Sequence, residues 1–242
     1  MKFAAIIPAR YSSERFPGKP LALLQGKPVI WHVYMNVRKS NLFDQVIVAT
    51  DDKRIADAVQ AFGGICKMTS PHHLSGSDRV AEATIDLDCD VIFNVQGDEP
   101  MIETAVLAKL KDLFKEPEVQ VASLMTPIAD TEELNNANLV KVVTDYKMNA
   151  LYFSRSPIPY NRDGKSDVKY FRHIGVYAYC RQTLLDFVKL EPGKLEQAEK
   201  LEQLRFLEHG IPIRMAITSY QGIGIDTPED LAAAEKLLAH TF

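Results

Sequence analysis

Three cations stand close together near the start of this 242-residue chain. Arg10, Arg15 and Lys19 follow an apolar run at residues 3–7 at steps of five and four residues. A strand followed by a cationic loop is a common way for an α/β protein to bind phosphates at the carboxyl edge of its sheet. Gly18 leaves room for a ligand beside the backbone. The pattern favours an anion site over the alternative, a surface loop with solvated cations.

Two carboxylates stand in turns that could face the same ligand. Asp98 follows Gly97 and an apolar run at residues 91–95, and Asp226 lies in a glycine-containing turn before the last predicted helix. Mg²⁺ is commonly held by a few carboxylates together with substrate phosphate oxygens, an arrangement that suits nucleotidyl transfer. The alternative is a role at helix N-termini, where acids are favoured. Thr227 can already cap the last helix, which leaves Asp226 free.

Other polar residues are weaker candidates. Gln96 offers an amide to a base or a sugar. Arg155 ends a predicted strand and could make a planar two-point contact with a carboxylate, although an exposed arginine is an equal alternative. His173 enters an aromatic strand, where core or dimer packing is the default and a substrate role is the alternative. Glu202 and Gln203 fall in a predicted helix, on what would be a solvated face.

The elements that would position these residues alternate between strand and helix through the first half. Right-handed crossovers place the carboxyl ends of parallel strands at one edge, so the cationic loop, Asp51, Asp52 and Asp98 should line one crevice. The sequence therefore predicts an α/β fold with a doubly wound, mostly parallel sheet. The predicted strands are residues 3–7, 45–50, 65–68 and 91–95, and the predicted helices are 28–39, 53–62 and 79–87.

The second half is more mixed, and some of its strands are expected to be antiparallel. Apolar periodicity predicts helices at 102–115 and 195–209 and a last helix from Pro228, with a loop at 156–169. The remaining predicted strands are 121–126, 140–144, 150–154, 174–180 and 213–217. Because no linker interrupts the chain, we expect a single domain over 1–242. A smaller, partly antiparallel subregion is expected at roughly 125–210.

Composition excludes several classes of function. A net charge of -4 gives no electrostatic reason to expect nucleic acid as a partner. The three cysteines lack metal-ligand spacing and indicate reduced thiols in a cytoplasmic protein. No apolar run approaches the roughly 20 residues that span a bilayer, so no membrane insertion is expected. The sequence also lacks G-x-x-x-x-G-K-[ST] and G-x-G-x-x-G, which argues against P-loop NTPases and NAD enzymes.

Six motifs, taken in order, resemble those of the 3-deoxy-manno-octulosonate cytidylyltransferases, the CMP-Kdo synthetases. The resemblance covers nearly the whole chain. The motifs are Pro8-Ala9-Arg10 through Pro17-Gly18-Lys19-Pro20-Leu21, Asn94-Val95-Gln96-Gly97-Asp98-Glu99-Pro100, Leu151-Tyr152-Phe153-Ser154-Arg155, Arg172-His173-Ile174-Gly175-Val176-Tyr177, Leu201-Glu202-Gln203-Leu204-Arg205 and Gly224-Ile225-Asp226-Thr227-Pro228-Glu229-Asp230-Leu231.

The resemblance implies a fold, a reaction and an assembly. The fold would be that of the nucleotide-diphospho-sugar transferases, with the smaller subregion serving sugar binding and dimerisation. CTP and 3-deoxy-D-manno-octulosonate (Kdo) would give CMP-Kdo and pyrophosphate for lipopolysaccharide biosynthesis, with Mg²⁺ as cofactor. Members of the family are typically homodimers.

The resemblance also assigns residues by their positions in the motifs. Those that would contact the nucleotide are Pro8, Ala9, Arg10, Ser13, Lys19, Ser75, Gly76, Arg79 and Gln96. Those that would contact the sugar are Arg15, Arg155, His173, Tyr177, Glu202 and Gln203, with an arginine meeting the sugar carboxylate. Asp98 and Asp226 would be the Mg²⁺ ligands, and with Arg10 and Lys19 they would form the catalytic set.

The chain departs from the family pattern in two places, and two other functions stay open. Ser77 and Asp78 stand where the family usually has Thr and Glu, and the loop before Tyr170 is shorter than in many members. The same chemistry on 8-amino-Kdo or another keto-acid sugar is the close alternative. A non-catalytic nucleotide-binding protein is the other, and the intact set of cations and carboxylates disfavours it.

Overall fold

The computed structural model describes residues 1–13, 15–73, 75–164, 168–222 and 224–239. The predicted loop at 156–169 includes residues 165–167, which lie outside this description. The strands are β1 (Phe3–Pro8), β2 (Leu23–Leu24), β3 (Lys27–Pro28), β4 (Gln45–Thr50), β5 (Cys66–Met68), β6 (Val91–Asn94), β7 (Val121–Pro127), β8 (Lys141–Thr144), β9 (Ala150–Ser154), β10 (Phe171–Cys180) and β11 (Arg214–Ile217). The α-helices are α1 (Val29–Lys39), α2 (Lys53–Ala61), α3 (Gly76–Ala83), α4 (Thr104–Asp112), α5 (Arg181–Phe187), α6 (Lys194–Glu199), α7 (Leu204–Glu208) and α8 (Pro228–Ala239).

One compact unit comprises Met1–Ala108 and Gly222–Phe242 and is built on a parallel sheet. Its strands lie in the order β6-β1-β4-β5, with Ile6 of β1 opposite both Ile47 and Asn94. β1 is buried on both faces because its residues are apolar throughout. The carboxyl ends of these parallel strands share one edge, as the sequence predicted.

Local capping determines where the helices of this unit begin. Asp52 caps α2 by accepting a hydrogen bond from the backbone N–H of Arg54. The predicted start of α3 at Arg79 is wrong, because the helix begins at Gly76. Ser75 and Asp78 form a reciprocal capping box that satisfies backbone N–H donors at its start. This capping allows the helix to begin three residues before the start that the apolar periodicity indicated.

The second compact unit, Lys109–Gln221, has the mixed sheet expected of the second half. β7 lies between β11, which is parallel to it, and β10, which is antiparallel. β10 also pairs with β8 and β8 with β9, both antiparallel. The register between β10 and β7 shifts between Ile174 and Tyr177, as a β-bulge does when it redirects side chains.

The predicted helix at 195–209 is wrong. The chain forms two short helices, α6 and α7, and Lys200 between them takes a left-handed conformation with φ 53°. The break lets the guanidinium of Arg205 make a two-point ion pair with Glu196, with contacts of 2.6 and 2.7 Å. A tertiary contact therefore overrides a continuous helical pattern. The sequence also gave no indication of α5.

The predicted α/β class, with a largely parallel sheet and a smaller mixed part, is confirmed. The prediction of a single domain with a subregion at roughly 125–210 stays a prediction. No helix in the described part of the chain is long and apolar enough to cross a membrane.

Candidate active site

The cationic loop is held in a compact shape by its own backbone and by α2. Gly18 has φ 74° and donates its N–H to the carbonyl oxygen of Tyr11 at 2.8 Å. A Cβ at this glycine would lie 3.0 Å from the Tyr11 ring, so the position favours glycine on two grounds. The guanidinium carbon of Arg54 lies 3.3 Å from the centroid of the same ring. Arg54 is itself paired with Asp52 at 2.6 Å.

Lys19 joins the two predicted metal ligands. Its ammonium contacts Asp98 Oδ2 and lies 2.9 Å from Asp226 Oδ1. Arg15 Nη2 lies 2.8 Å from the other oxygen of Asp226. These residues come from three distant segments, and the folded unit brings them together at the carboxyl end of the parallel strands. Arg10 lies two residues after the end of β1 and is exposed.

Backbone contacts set the distance between the two carboxylates. The N–H of Ile225 donates to the carbonyl oxygen of Asp98 at 2.8 Å. Gly97 packs so tightly against the end of β1 that a Cβ would lie 2.7 Å from the Pro8 carbonyl oxygen, so only glycine fits there. Thr227 and Asp230 cap α8 reciprocally, which leaves the Asp226 side chain free of the cap.

Charge pairing dominates the electrostatics of this group. Burial by itself would lower the pKa of Lys19, but the charges of Asp98 and Asp226 and their hydrogen bonds outweigh it and raise that pKa. Burial would likewise raise the pKa of Asp226, but hydrogen bonds and charges from Lys19 and Arg15 lower it. Lys19 and Asp226 are therefore both charged near neutral pH.

The two carboxylates fit the ligand preference of Mg²⁺. They already converge on one cation, the Lys19 ammonium, which marks a position that both can reach. No three His, Cys, Asp or Glu residues within the described ranges converge on a common point. Mg²⁺ is usually bound by one or two carboxylates with substrate phosphates and waters, rather than by a complete protein cage.

The other residues predicted to bind the nucleotide surround the same sheet edge. Pro8 ends β1 and Ala9 follows it, while Ser75 caps α3 and Gly76 begins it. Gln96 follows β6, and its amide donates to Asn94 Oδ1 at 3.2 Å. In the cationic loop, Ser13 Oγ lies 3.5 Å from the backbone nitrogen of Phe16. The Ser75 hydroxyl is engaged in the cap of α3.

Arg79 differs from this group because its side chain is used inside the protein. It is 3% exposed, donates to Thr69 Oγ1 at 2.6 Å and lies 3.2 Å from Asp51 Oδ1. The structure therefore places its guanidinium in a buried pair that joins the ends of β4 and β5. Its predicted contact with the nucleotide stays a prediction.

In the second unit, the half-buried His173 and the buried Tyr177 lie in one aromatic row. Their rings are 5.2 Å apart, and His173 Nε2 lies 3.0 Å from Ser123 Oγ. Burial lowers the pKa of His173 to about 3 and raises the pKa of Tyr177 well above its usual range. Both are thus neutral. Arg172 Nε is a buried polar atom without a hydrogen-bond partner in the described part of the chain, which a polar ligand could satisfy.

Arg155 is hydrogen-bonded to the chain just before Glu202 and Gln203, the remaining residues predicted to bind the sugar. Its guanidinium donates to the carbonyl oxygens of Ala137 at 2.9 Å and Glu199 at 2.8 Å. Its backbone N–H donates to Glu199 Oε2 at 3.0 Å. Glu202 and Gln203 follow this segment, and both are half-buried between α6 and α7. The predicted solvated helix face is therefore wrong for these two residues.

Sequence reasoning missed several residues that shape the site. Asp230 could have been found, because Thr227-x-x-Asp230 before a helix is a capping-box pattern. Two other contacts join segments that are far apart in sequence, so no local sequence pattern predicts them. They are the contact between Tyr11 and Arg54 and the pair between Arg79 and Asp51.

Comparison with known proteins gives the class of this site. The cytidylyltransferase family matches residues 4–217. The chain is 49% identical to a 3-deoxy-manno-octulosonate cytidylyltransferase of Geobacter metallireducens, over 98% of both chains. It is also 49% identical to one of Flavobacterium johnsoniae, over 98% of this chain and 99% of the relative. A solved structure of CMP:2-keto-3-deoxy-manno-octonic acid synthetase complexed with CTP superposes over the whole of both chains, with a TM-score of 0.96 and 43% identity.

The parallel α/β unit, with its lysine and two carboxylates at the strand ends, is thus that of a cytidylyltransferase. The relatives agree over almost their entire length. The chain belongs to the 3-deoxy-manno-octulosonate cytidylyltransferase family. The resemblance inferred from the sequence motifs is confirmed.

Proposed function

We propose that this protein transfers CMP from CTP to the anomeric hydroxyl of Kdo, giving CMP-Kdo and pyrophosphate for lipopolysaccharide biosynthesis. The observation that carries the proposal is the meeting of Lys19, Asp98 and Asp226 at the carboxyl edge of the parallel sheet. The names of the full-length relatives support CTP and Kdo as the substrates.

The reaction exchanges one oxygen on the α-phosphorus for another. The anomeric oxygen forms a bond to that phosphorus, the bond to the pyrophosphate oxygen breaks, and the hydroxyl proton leaves to solvent or a base. Arg10, Ser13 and Lys19 are proposed to hold the triphosphate and to balance the charge that develops on the leaving pyrophosphate. Such chemistry depends on positioning and electrostatics rather than on a covalent nucleophile.

Mg²⁺ is proposed as the cofactor, with Asp98 and Asp226 as its ligands. When bound, it would polarise the phosphate oxygens and offset their negative charge. The carboxylates are the part that the protein supplies, and their spacing is set by the backbone contact between Ile225 and Asp98.

Residues of the second unit are proposed to bind the sugar. Tyr177 offers a buried hydroxyl, and neutral His173 offers a ring nitrogen near Ser123. Glu202 and Gln203 are proposed to contact the sugar hydroxyls. Arg155 donates to the carbonyl oxygen of Glu199, just before these two residues in the chain. A substitution of Arg155 can therefore alter sugar binding by shifting the backbone that carries them.

An assay of pyrophosphate release tests the proposal. Wild-type protein with CTP, Mg²⁺ and Kdo should release pyrophosphate, and release should stop without the metal or without Kdo. The same assay with 8-amino-Kdo and with a sialate-like sugar identifies the preferred acceptor. No release with any of these sugars from folded protein contradicts the proposed reaction.

Asp98→Asn tests the metal assignment at one atom. The change removes the carboxylate charge with almost no change of shape, so we expect turnover to fall by about 10³-fold or more while the circular dichroism spectrum stays unchanged. Asp88→Asn is the matched control, because Asp88 is an exposed acid that pairs with Lys2, and its turnover should equal that of wild type. Turnover near the wild-type value in Asp98→Asn would remove Asp98 from the metal site.

We further propose a homodimer that acts in the cytoplasm. The three cysteines lie far apart in the sequence and lack metal-ligand spacing, which agrees with a reducing compartment.

A further inference from the structure

The Lys19 ammonium occupies the position between two carboxylates that a divalent cation would need. Its side chain is 16% exposed and contacts Asp98 Oδ2 and Asp226 Oδ1 together. Arg15 reaches only the second oxygen of Asp226. Lys19 is therefore the one cation, among the described residues, that contacts both carboxylates.

We propose that Lys19 serves as the internal counter-ion of the Asp98–Asp226 pair, so that the pair binds a divalent cation strongly only when a triphosphate arrives with it. This inference rests on the metal role given to the two aspartates above. Without nucleotide, the ammonium neutralises the pair and competes with the metal. With nucleotide, the phosphates attract the ammonium, and the carboxylates turn to the cation that the phosphates carry.

The chemistry of the lysine side chain allows this exchange. An ammonium has three N–H donors on a flexible four-carbon stem, so it can move from carboxylate to phosphate without any change in the backbone. The loop that carries Lys19 is held independently, through Gly18 and Tyr11. Two carboxylates so close together repel each other unless a cation lies between them, so the pair needs Lys19 whenever the metal is absent.

Binding of Mn²⁺, followed by its electron paramagnetic resonance signal, separates this role from a purely structural one. Without nucleotide, Lys19→Met should bind Mn²⁺ about tenfold more tightly than wild type, which corresponds to ~1.4 kcal/mol. With CTP present, the same variant should bind Mn²⁺ less tightly than wild type, because a phosphate contact is lost. General damage to the site would weaken binding under both conditions.

Three further variants sharpen the test. Lys19→Arg keeps the charge and should leave Mn²⁺ binding without nucleotide as weak as in wild type. Lys19→Gln should follow Lys19→Met, which guards against one variant failing to fold. Arg15→Met also removes a positive charge beside Asp226 but leaves the contact with Asp98, so its affinity for Mn²⁺ should change less than about threefold.

Two results would overturn the inference. One is equal Mn²⁺ affinity of wild type and both neutral Lys19 variants without nucleotide, with folding confirmed by circular dichroism. The other is an increase in Arg15→Met as large as that in Lys19→Met, which would indicate a general effect of charge. If wild type fails to bind Mn²⁺ even with CTP, the proposed metal role itself fails, and that result is distinct from the other two.

Discussion

His173 illustrates how the setting of one side chain determines its chemistry. It is half-buried and packs against Phe153 and Tyr177, next to Ser123, none of which carries a charge near neutral pH. Burial lowers its pKa to about 3 from an ordinary value of 6.5. A ring so placed can hydrogen-bond as the neutral imidazole but cannot supply a positive charge to the sugar carboxylate.

The same shift makes stability depend on pH in a defined direction. Below pH 6.5 the unfolded chain binds a proton at His173 that the folded chain does not, so this contribution to stability is complete above 6.5 and is lost as the pH falls toward 3. Between pH 7.5 and 5.0, wild type should lose about 2 kcal/mol more unfolding free energy than His173→Gln. Urea unfolding of both proteins at the two pH values measures this difference in unfolding free energy. The exposed His209 provides the control, since His209→Gln should follow wild type. A pH response of His173→Gln equal to that of wild type would contradict the burial effect.

At the scale of elements, the start of α2 supports the cationic loop through Arg54 and Tyr11. Cation–π contacts at exposed sites contribute about 0.5–1 kcal/mol, so Arg54→Ala should raise KM for CTP about two- to fivefold with kcat nearly unchanged. Steady-state kinetics with varied CTP measure both constants. Tyr11→Phe keeps the ring and should resemble wild type. Lys53→Ala removes an adjacent exposed cation that pairs with Asp57 and should have no effect. A fall in kcat at constant KM in Arg54→Ala would contradict this positioning role.

The pair α6–α7 depends on the ion pair between Glu196 and Arg205. Both side chains are largely buried, at 13% and 9% exposure, and removing one partner of such a pair leaves the other charge uncompensated. Glu196→Gln should therefore lower the free energy of unfolding by about 3 kcal/mol, measured in urea. In the exposed pair of Lys115 and Asp112, Asp112→Asn should change it by less than about 0.5 kcal/mol. Equal effects of the two substitutions would show that the buried pair does not hold the helices together.

At the scale of the whole molecule, the proposed homodimer can be tested on the second unit. Within the described residues β9 pairs with β8 alone, and Leu151 on this edge strand is 61% exposed. An exposed apolar edge strand is commonly covered by another chain. Sedimentation equilibrium should give twice the mass of one chain for wild type, and Leu151→Glu should shift it toward the monomer. Leu237→Glu, at an exposed leucine of α8, should remain dimeric. A monomeric wild type would contradict the proposed homodimer.

The sequence by itself determined the parallel half of the fold and the composition of the site. Largely apolar strands such as β1 and β4, separated by amphipathic helices, admit few arrangements, and the carboxyl ends of parallel strands share an edge. The approach of Lys19 to Asp98 could therefore be predicted from residue types and strand order, whereas Asp226 was suggested by its turn before the last helix and by the family motif. Six ordered motifs then gave the family.

The tertiary structure decided where local patterns compete with distant contacts. The apolar spacing at 195–209 predicts one helix, but the chain breaks at Lys200 so that Arg205 reaches Glu196. Arg155, Arg79 and Lys19 could each have faced a ligand, since an arginine or a lysine looks the same in any sequence. Only folding shows that the first holds backbone carbonyls, the second is buried beside Asp51, and the third lies between two carboxylates. The physical reason is that the partner of a long charged side chain is set by three-dimensional proximity, and spacing along the chain carries little information about it.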